Sequence, residues 1–202
     1  MADNTGGEQP VKVSVIIEQA ALARAYNALK HIPGAFPRAV AMASNRALET
    51  MRTEAVRETS KRYFVKAGEV RKTFKPQKAS ANNLYGAMIS RGKRKNISKY
   101  QITPKTQQAG RKQGFRGAVK QEGGLKSLPK GTFMLNTPNA GPVLFLRVAS
   151  GNSWANITHV FSPSIPQIVK NDETVEVVEK RAQEVFIKRL DHEVMRLLGA
   201  LP

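Results

Sequence analysis

Four places in the chain bring together residue types that catalysis or ligand binding uses. Gly86 and Gly92, followed by Lys93, come nearest to a phosphate-binding loop. Such a loop needs four residues between its glycines and then Lys with Ser or Thr, so that backbone amides and a hydroxyl meet phosphate and magnesium. Here five residues intervene and Arg94 follows Lys93, so both requirements fail. Gly151-Asn152-Ser153-Trp154-Ala155 lacks the second glycine of a nucleophile elbow, and no motif ties a His–acid pair to it. His31, His159 and His192 lie far apart and the chain has no cysteine, so no metal-ligand spacing is present. Asp191-His192-Glu193 groups two acids around a base. Consecutive helix residues point about 100° apart, however, so the three do not converge and a solvated helix face is expected. These residues point away from an enzyme, a metal centre and a bound cofactor.

What remains is charge. The chain carries 33 Lys and Arg against 15 Asp and Glu, a net +18, and residues 61–130 alone hold 19 basic and 2 acidic side chains. Seventeen of the 18 net charges therefore sit in that belt, which exceeds what solubility needs. Lysines and arginines neutralise phosphates and release counterions, giving affinity without sequence preference. The candidate anion or partner contacts are Arg91, Lys93, Arg94, Lys95, Lys99, Lys105, Arg111, Lys112 and Arg116. Tyr85, Tyr100 and Phe115 lie among the cations, where aromatic rings can stack on bases. The reading preferred for them is as sheet residues. The cations can also keep strand edges from pairing or meet acidic neighbours in an assembly. DNA and an acidic protein surface stand as two open partners.

The elements that must position these residues follow from pattern. Residues 1–10 read as a flexible polar tail, acidic where a signal peptide would be basic and apolar. Val11, Val13, Val15 and Ile17 alternate with Lys12, Ser14 and Ile16 as in a half-buried strand. Glu18 to Lys30 reads as a helix stopped by Pro33-Gly34. A second, long helix runs from near Ala35 towards Tyr63. Val40, Ala43, Ala47, Met51 and Ala55, with Leu48 beside them, form its apolar stripe. Ala67 to Phe74 reads as a short helix ended by Pro76. Strands are expected over 84–90, 97–103, 115–120, 132–135, 143–148 and 156–161, with 91–96 as the tip of a hairpin between the first two. Residues 104–114 read as a mobile loop. Pro163 and Pro166 bracket a turn, Asn171 is an N-cap, and Asp172 and Glu173 suit the positive end of a last helix. Val178, Ala182, Val185, Phe186, Leu190, Val194 and Leu197 stripe that helix.

At 202 residues and 41% hydrophobic content, the chain suits one cored domain over 11–202. The fold class is α+β: an antiparallel sheet with a long helix before it and a C-terminal helix packed against it. Its apolar run Pro142–Leu146 is cut by Arg147, far short of the roughly 18–20 residues a membrane span needs. No membrane partner is expected. An absence of cysteine sits comfortably with a reducing compartment.

Three ordered segments carry a family likeness. Phe36-Pro37-Arg38-Ala39 leads through the long helix to Arg62-Tyr63-Phe64-Val65-Lys66 and the short helix ending at Phe74. Gly131-Thr132-Phe133-Met134 precedes Gly141-Pro142-Val143-Leu144-Phe145-Leu146-Arg147. Phe161-Ser162-Pro163-Ser164-Ile165-Pro166-Gln167 forms the turn before the last helix. With these segments the chain resembles the prophage minor tail protein Z family, the tail-completion proteins of long-tailed bacteriophages. It departs from the pattern at Asn156–Val160, where the family is more apolar, and in an expanded 104–114 loop. The resemblance implies a structural virion protein without catalytic residues, made in the host cytoplasm. It implies a place at the head-proximal end of the tail, with the tail terminator and neighbouring neck and tail proteins as partners. A homo-oligomeric ring, hexameric by preference, would surround DNA in transit. The rival reading is a stand-alone basic nucleic-acid-binding protein whose binding face is 61–130.

Overall fold

A computed structural model describes residues 10–14, 18–107, 114–139, 141–150 and 153–199. The class is mixed α+β, and the chain divides into two compact units. Unit 1 comprises Met1–Glu58, Ala67–Gly92 and Ile165–Pro202; unit 2 comprises Thr59–Lys66 and Lys93–Ser164.

Unit 1 is built on helices. Helix α1 (Gln19–Leu29) and helix α2 (Ala35–Arg62) flank a turn in which Gly34 takes a φ of 72°, a conformation that favours glycine. Pro37 is tolerated in α2 because first-turn amides have no helical acceptor. Along α2, Ala35, Ala39, Ala43 and Ala47 recur every four residues and are all buried. This smooth ridge admits a large neighbour. The C-terminal helix α5 (Asp172–Gly199) supplies it: Phe186, fully buried, and Leu190 share a core with the α2 alanines and with Ala21, Ala25 and Leu29 of α1. Burying each such large side chain contributes about 1.5–3 kcal/mol. Farther along α2, Met51 and Ala55 meet Phe74, Met88, Val169 and Val178 around a small apolar cleft. Val40 and Leu48 are buried as well, so the whole expected α2 stripe faces inward.

A three-stranded sheet completes unit 1, with β1 (Val11–Ser14) and β2 (Phe74–Gln77) on either side of β3 (Ala87–Ser90). Helix α3 (Ala67–Thr73) stops one residue earlier than expected, and Phe74 starts β2 opposite Ser90. Pro76 fits there because β2 is an edge strand, where a missing N–H costs little. The two glycines of the failed phosphate loop have packing roles. A Cβ on Gly86 would lie 2.5 Å from Leu48 Cδ1, and one on Gly92 would lie 3.2 Å from Pro166 Cδ. Pro166 belongs to a short helix, α4 (Ile165–Val169), where a turn was expected. At the start of α5 the Asn171 carbonyl accepts from the Thr174 and Val175 amides, but its side-chain Oδ1 is buried without a hydrogen-bond partner.

Unit 2 is built on two further antiparallel sheets. One has the order β4 (Gln101–Thr103), β5 (Arg116–Ala118), β6 (Lys126–Ser127); the other has β7 (Thr132–Thr137), β8 (Gly141–Arg147), β9 (Ile157–His159). Ile97, Ile102, Phe115, Met134 and Leu144 form the core. The strands thus make three small sheets, not one. The expected hairpin around 91–96 is not formed: both edges of β3 are taken by β1 and β2, and β4 pairs with β5. Residues 97–99, expected as strand, form a 3-10 turn because the Asn96 side chain accepts from the Ser98 N–H. At the start of unit 2, the Phe64 N–H donates to the Val119 carbonyl and the Gln121 N–H to the Arg62 carbonyl.

Candidate partner-contact surface

The basic belt is held in place by uncharged groups. Asn96 Nδ2 donates to the Leu144 carbonyl at 2.7 Å, and its Oδ1 accepts from the Leu144 N–H at 3.0 Å. The Ser162 N–H and Oγ both donate to the Lys95 carbonyl, and the Ile97 N–H donates to the Val160 carbonyl. Residues 95–97 are thereby fastened to the stretch just after β9. Lys93 and Arg94 enter this anchored stretch with exposed side chains, and Lys95 is half-buried. Sequence inspection had no means of finding Asn96, since its partners lie 48 residues away.

The other sequence-selected cations divide as follows. Lys99, at the end of the 3-10 turn, and Lys105 are exposed. Arg116 on β5 is exposed, and its guanidinium donates to the Leu125 carbonyl at 2.8 Å. Arg91 falls in unit 1, where its N–H donates to the Thr73 carbonyl. Arg111 and Lys112 lie outside the described residues, as do most of the expected mobile loop's residues. Gln107, at the loop's described end, accepts from the Met134 N–H through Oε1 at 2.9 Å.

Grouping by unit sharpens the charge asymmetry. Unit 2 has 15 Lys and Arg against the single acid Glu122, a net +14 in 80 residues. Unit 1 has 18 against 14, a net +4 in 122 residues. Fields from so many like charges sum over a surface and raise the local concentration of anions.

The remaining candidates resolve into structure. Tyr100 and Phe115 are buried and cannot stack on bases, whereas Tyr85 is 79% exposed; all three lie beside the strands rather than in them, which corrects their expected places in the sheet. Ser153 caps a 3-10 turn, Trp154–Asn156, by accepting from the Ala155 N–H. Asp191 and His192 are exposed on α5 as expected, but Glu193 is not. Its carboxylate is fully buried, with Arg189 at 2.7 Å and Arg196 at 2.8 Å on the same helix. Spacings of three and four bring both arginines over it, and their half-exposed side chains hand the charge on to water. Among the described residues there is no cluster of three or more His, Asp or Glu placed to hold a metal. No helix among them is long and apolar enough to cross a membrane.

A surface the sequence inspection missed lies on β7–β8–β9. Phe133, Phe145 and His159 stand opposite one another in register, and Phe161 extends the row. Ring centroids are 6.0, 4.6 and 5.4 Å apart, and the Arg147 guanidinium sits 5.6 Å from the Phe133 ring. Apolar strands over 132–135 and 143–148 were legible in sequence; the register that aligns the rings was not.

Against known families, the model of prophage minor tail protein Z matches residues 20–201. The chain belongs to the prophage minor tail protein Z family. No curated protein matches it, and neither does any solved structure. The match runs through both units, from the second residue of α1 to beyond the end of α5, and among the described elements only β1 lies wholly before it. It carries a structural role in a phage tail, association with other tail proteins and a place in the virion.

Proposed function

We propose that the protein completes the phage tail and takes part in joining it to the head. It does so as a homo-oligomeric ring of six copies beside the tail terminator, at the head-proximal end and around the DNA passage. Family membership over 20–201 is the observation that carries this reading. The net +14 of unit 2 supports an anionic neighbour, with Lys93, Arg94, Lys95, Lys99, Lys105 and Arg116 as its described contacts and Arg91, Arg111 and Lys112 as further ones. Six such units would bring on the order of eighty positive charges to one passage, enough to make any DNA contact strongly salt-dependent. Phage carrying a stop codon in this gene should build tails that fail to join filled heads. Normal joining in its absence would overturn the proposal.

The same charge favours a second reading, a stand-alone nucleic-acid-binding protein. Duplex DNA binding by the purified chain across a salt series separates the two. A Lys93/Arg94/Lys95→Ala variant should lower the log–log salt slope by about 3 if these cations meet phosphates. Weak binding by the isolated chain, with an unchanged slope, assigns the belt to acidic protein neighbours.

A further inference from the structure

The sheet β7–β8–β9 has two unlike faces. One, carrying Met134 and Leu144, is buried in the core of unit 2. The other carries the row Phe133, Phe145, His159, Phe161, with Arg147 against its first ring. Phe133 and Phe145 are half-buried, while His159 and Phe161 are exposed, Phe161 by 43%. A platform for nucleic-acid bases must present ring faces. Here neighbouring rings turn their faces towards one another, with interplanar angles of 26°, 40° and 37°. An apolar ridge beside an arginine is what protein interfaces bury, since aromatic residues and Arg dominate their centres.

Charge identifies the occupant. The ridge belongs to a unit of net +14, so its partner must be acidic. The chain itself supplies such a partner at the start of α5, where Asp172, Glu173, Glu176 and Glu179 fall within ten residues. At 3.6 residues per turn these four project within an arc of roughly 120°, which Lys180 also enters, so the arc keeps a net charge of −3. That arc lies away from Thr174, Val178 and Ala182, the buried side of the helix. Val177, 41% exposed, adds an apolar body beside them. We propose that the acidic first half of α5 in one copy docks on the aromatic–arginine ridge of β7–β9 in a second copy. The two patches differ, so the contact is head-to-tail, the kind that generates rings when the rotation closes. This deepens the ring reading above and rests on it.

The chain has no cysteine, so introduced thiols can pair only with each other. Two differently tagged full-length versions, one Glu176→Cys and the other Phe161→Cys, are mixed and oxidised. The expected product is a disulfide-linked pair bearing both tags. Adding Arg147→Glu to the Phe161→Cys version should cut its yield roughly tenfold. Replacing Glu173 and Glu179 by Arg in the other version should then recover it, which also shows that the Arg147→Glu chain still folds. Disulfides confined to same-tag pairs, a yield indifferent to charge reversal, or a ridge shielded by duplex DNA but not by a second copy would each overturn the contact. Light scattering distinguishes the two levels of failure. A ring-sized species without the 161–176 bond removes this contact and leaves the ring; a monomer at every concentration, alone and with tail proteins, removes both.

Discussion

The two units of this chain reach a folded state by different balances. Unit 1 packs an alanine ridge against Phe186 and Leu190 and nearly cancels its own charge, at +4 over 122 residues. Unit 2 has a core of Ile97, Ile102, Phe115, Met134 and Leu144, and it carries +14 over 80 residues. Self-repulsion of that size opposes compaction, and it is relieved by salt or by an anionic partner. Unit 1 is accordingly expected to respond little to salt, and unit 2 to be the part whose stability responds to what it meets. Hydrogen bonds between side chain and backbone compensate in unit 2, above all the reciprocal pair between the Asn96 amide and the Leu144 backbone.

That contrast breaks most visibly under core mutation. Phe186→Ala removes the side chain that fills the alanine ridge and should cost about 3–5 kcal/mol in urea unfolding. A loss below about 1 kcal/mol would show that the ridge can collapse onto the space. Asn96→Ala should cost about 2 kcal/mol, read as faster amide exchange at Leu144 and Ser98 in unit 2. Uniform acceleration of exchange in unit 1 as well would mean that the two do not open separately. Raising salt from about 0.05 to 0.5 M should slow exchange in β7 and β8 by a few-fold and leave α2 and α5 nearly unchanged, because screening acts where like charges accumulate. An equal response in both would remove charge as the difference between them. Arg181→Ala deletes an exposed ion pair with Glu184 and should shift stability by no more than about 0.5 kcal/mol. A larger loss would show that surface charge contributes more to unit 1 than its near-neutral balance implies.

Much of unit 1 was legible in sequence because its signals are local. Helix α1 lies within the expected 18–30, and α2 ends one residue before Tyr63, since propensity, apolar period and proline–glycine stops all act over a few residues. The family likeness was legible too, through ordered segments whose apolar patterns are now seen in α2, β7, β8 and α4. The strands were less so. Segments 84–90 and 97–103 each contain a strand, yet their pairing depends on which edges are free, and β3 had none left. Glu193 read as solvated because its flanking residues are polar; its burial follows from the face of α5 on which it falls and from two arginines a helical turn away.

By itself the sequence determined the long helices and their inward stripes, the concentration of positive charge, the failure of the phosphate-loop and nucleophile-elbow spacings and the family to which the chain belongs. These depend on residue type and near-neighbour spacing alone. Only the tertiary structure decided that Asn96 and Ser162 anchor the cations and that four rings align on one sheet face. Each of these depends on register and on contacts tens of residues apart, and such pairings are set by the joint packing of strands that no single stretch of sequence encodes.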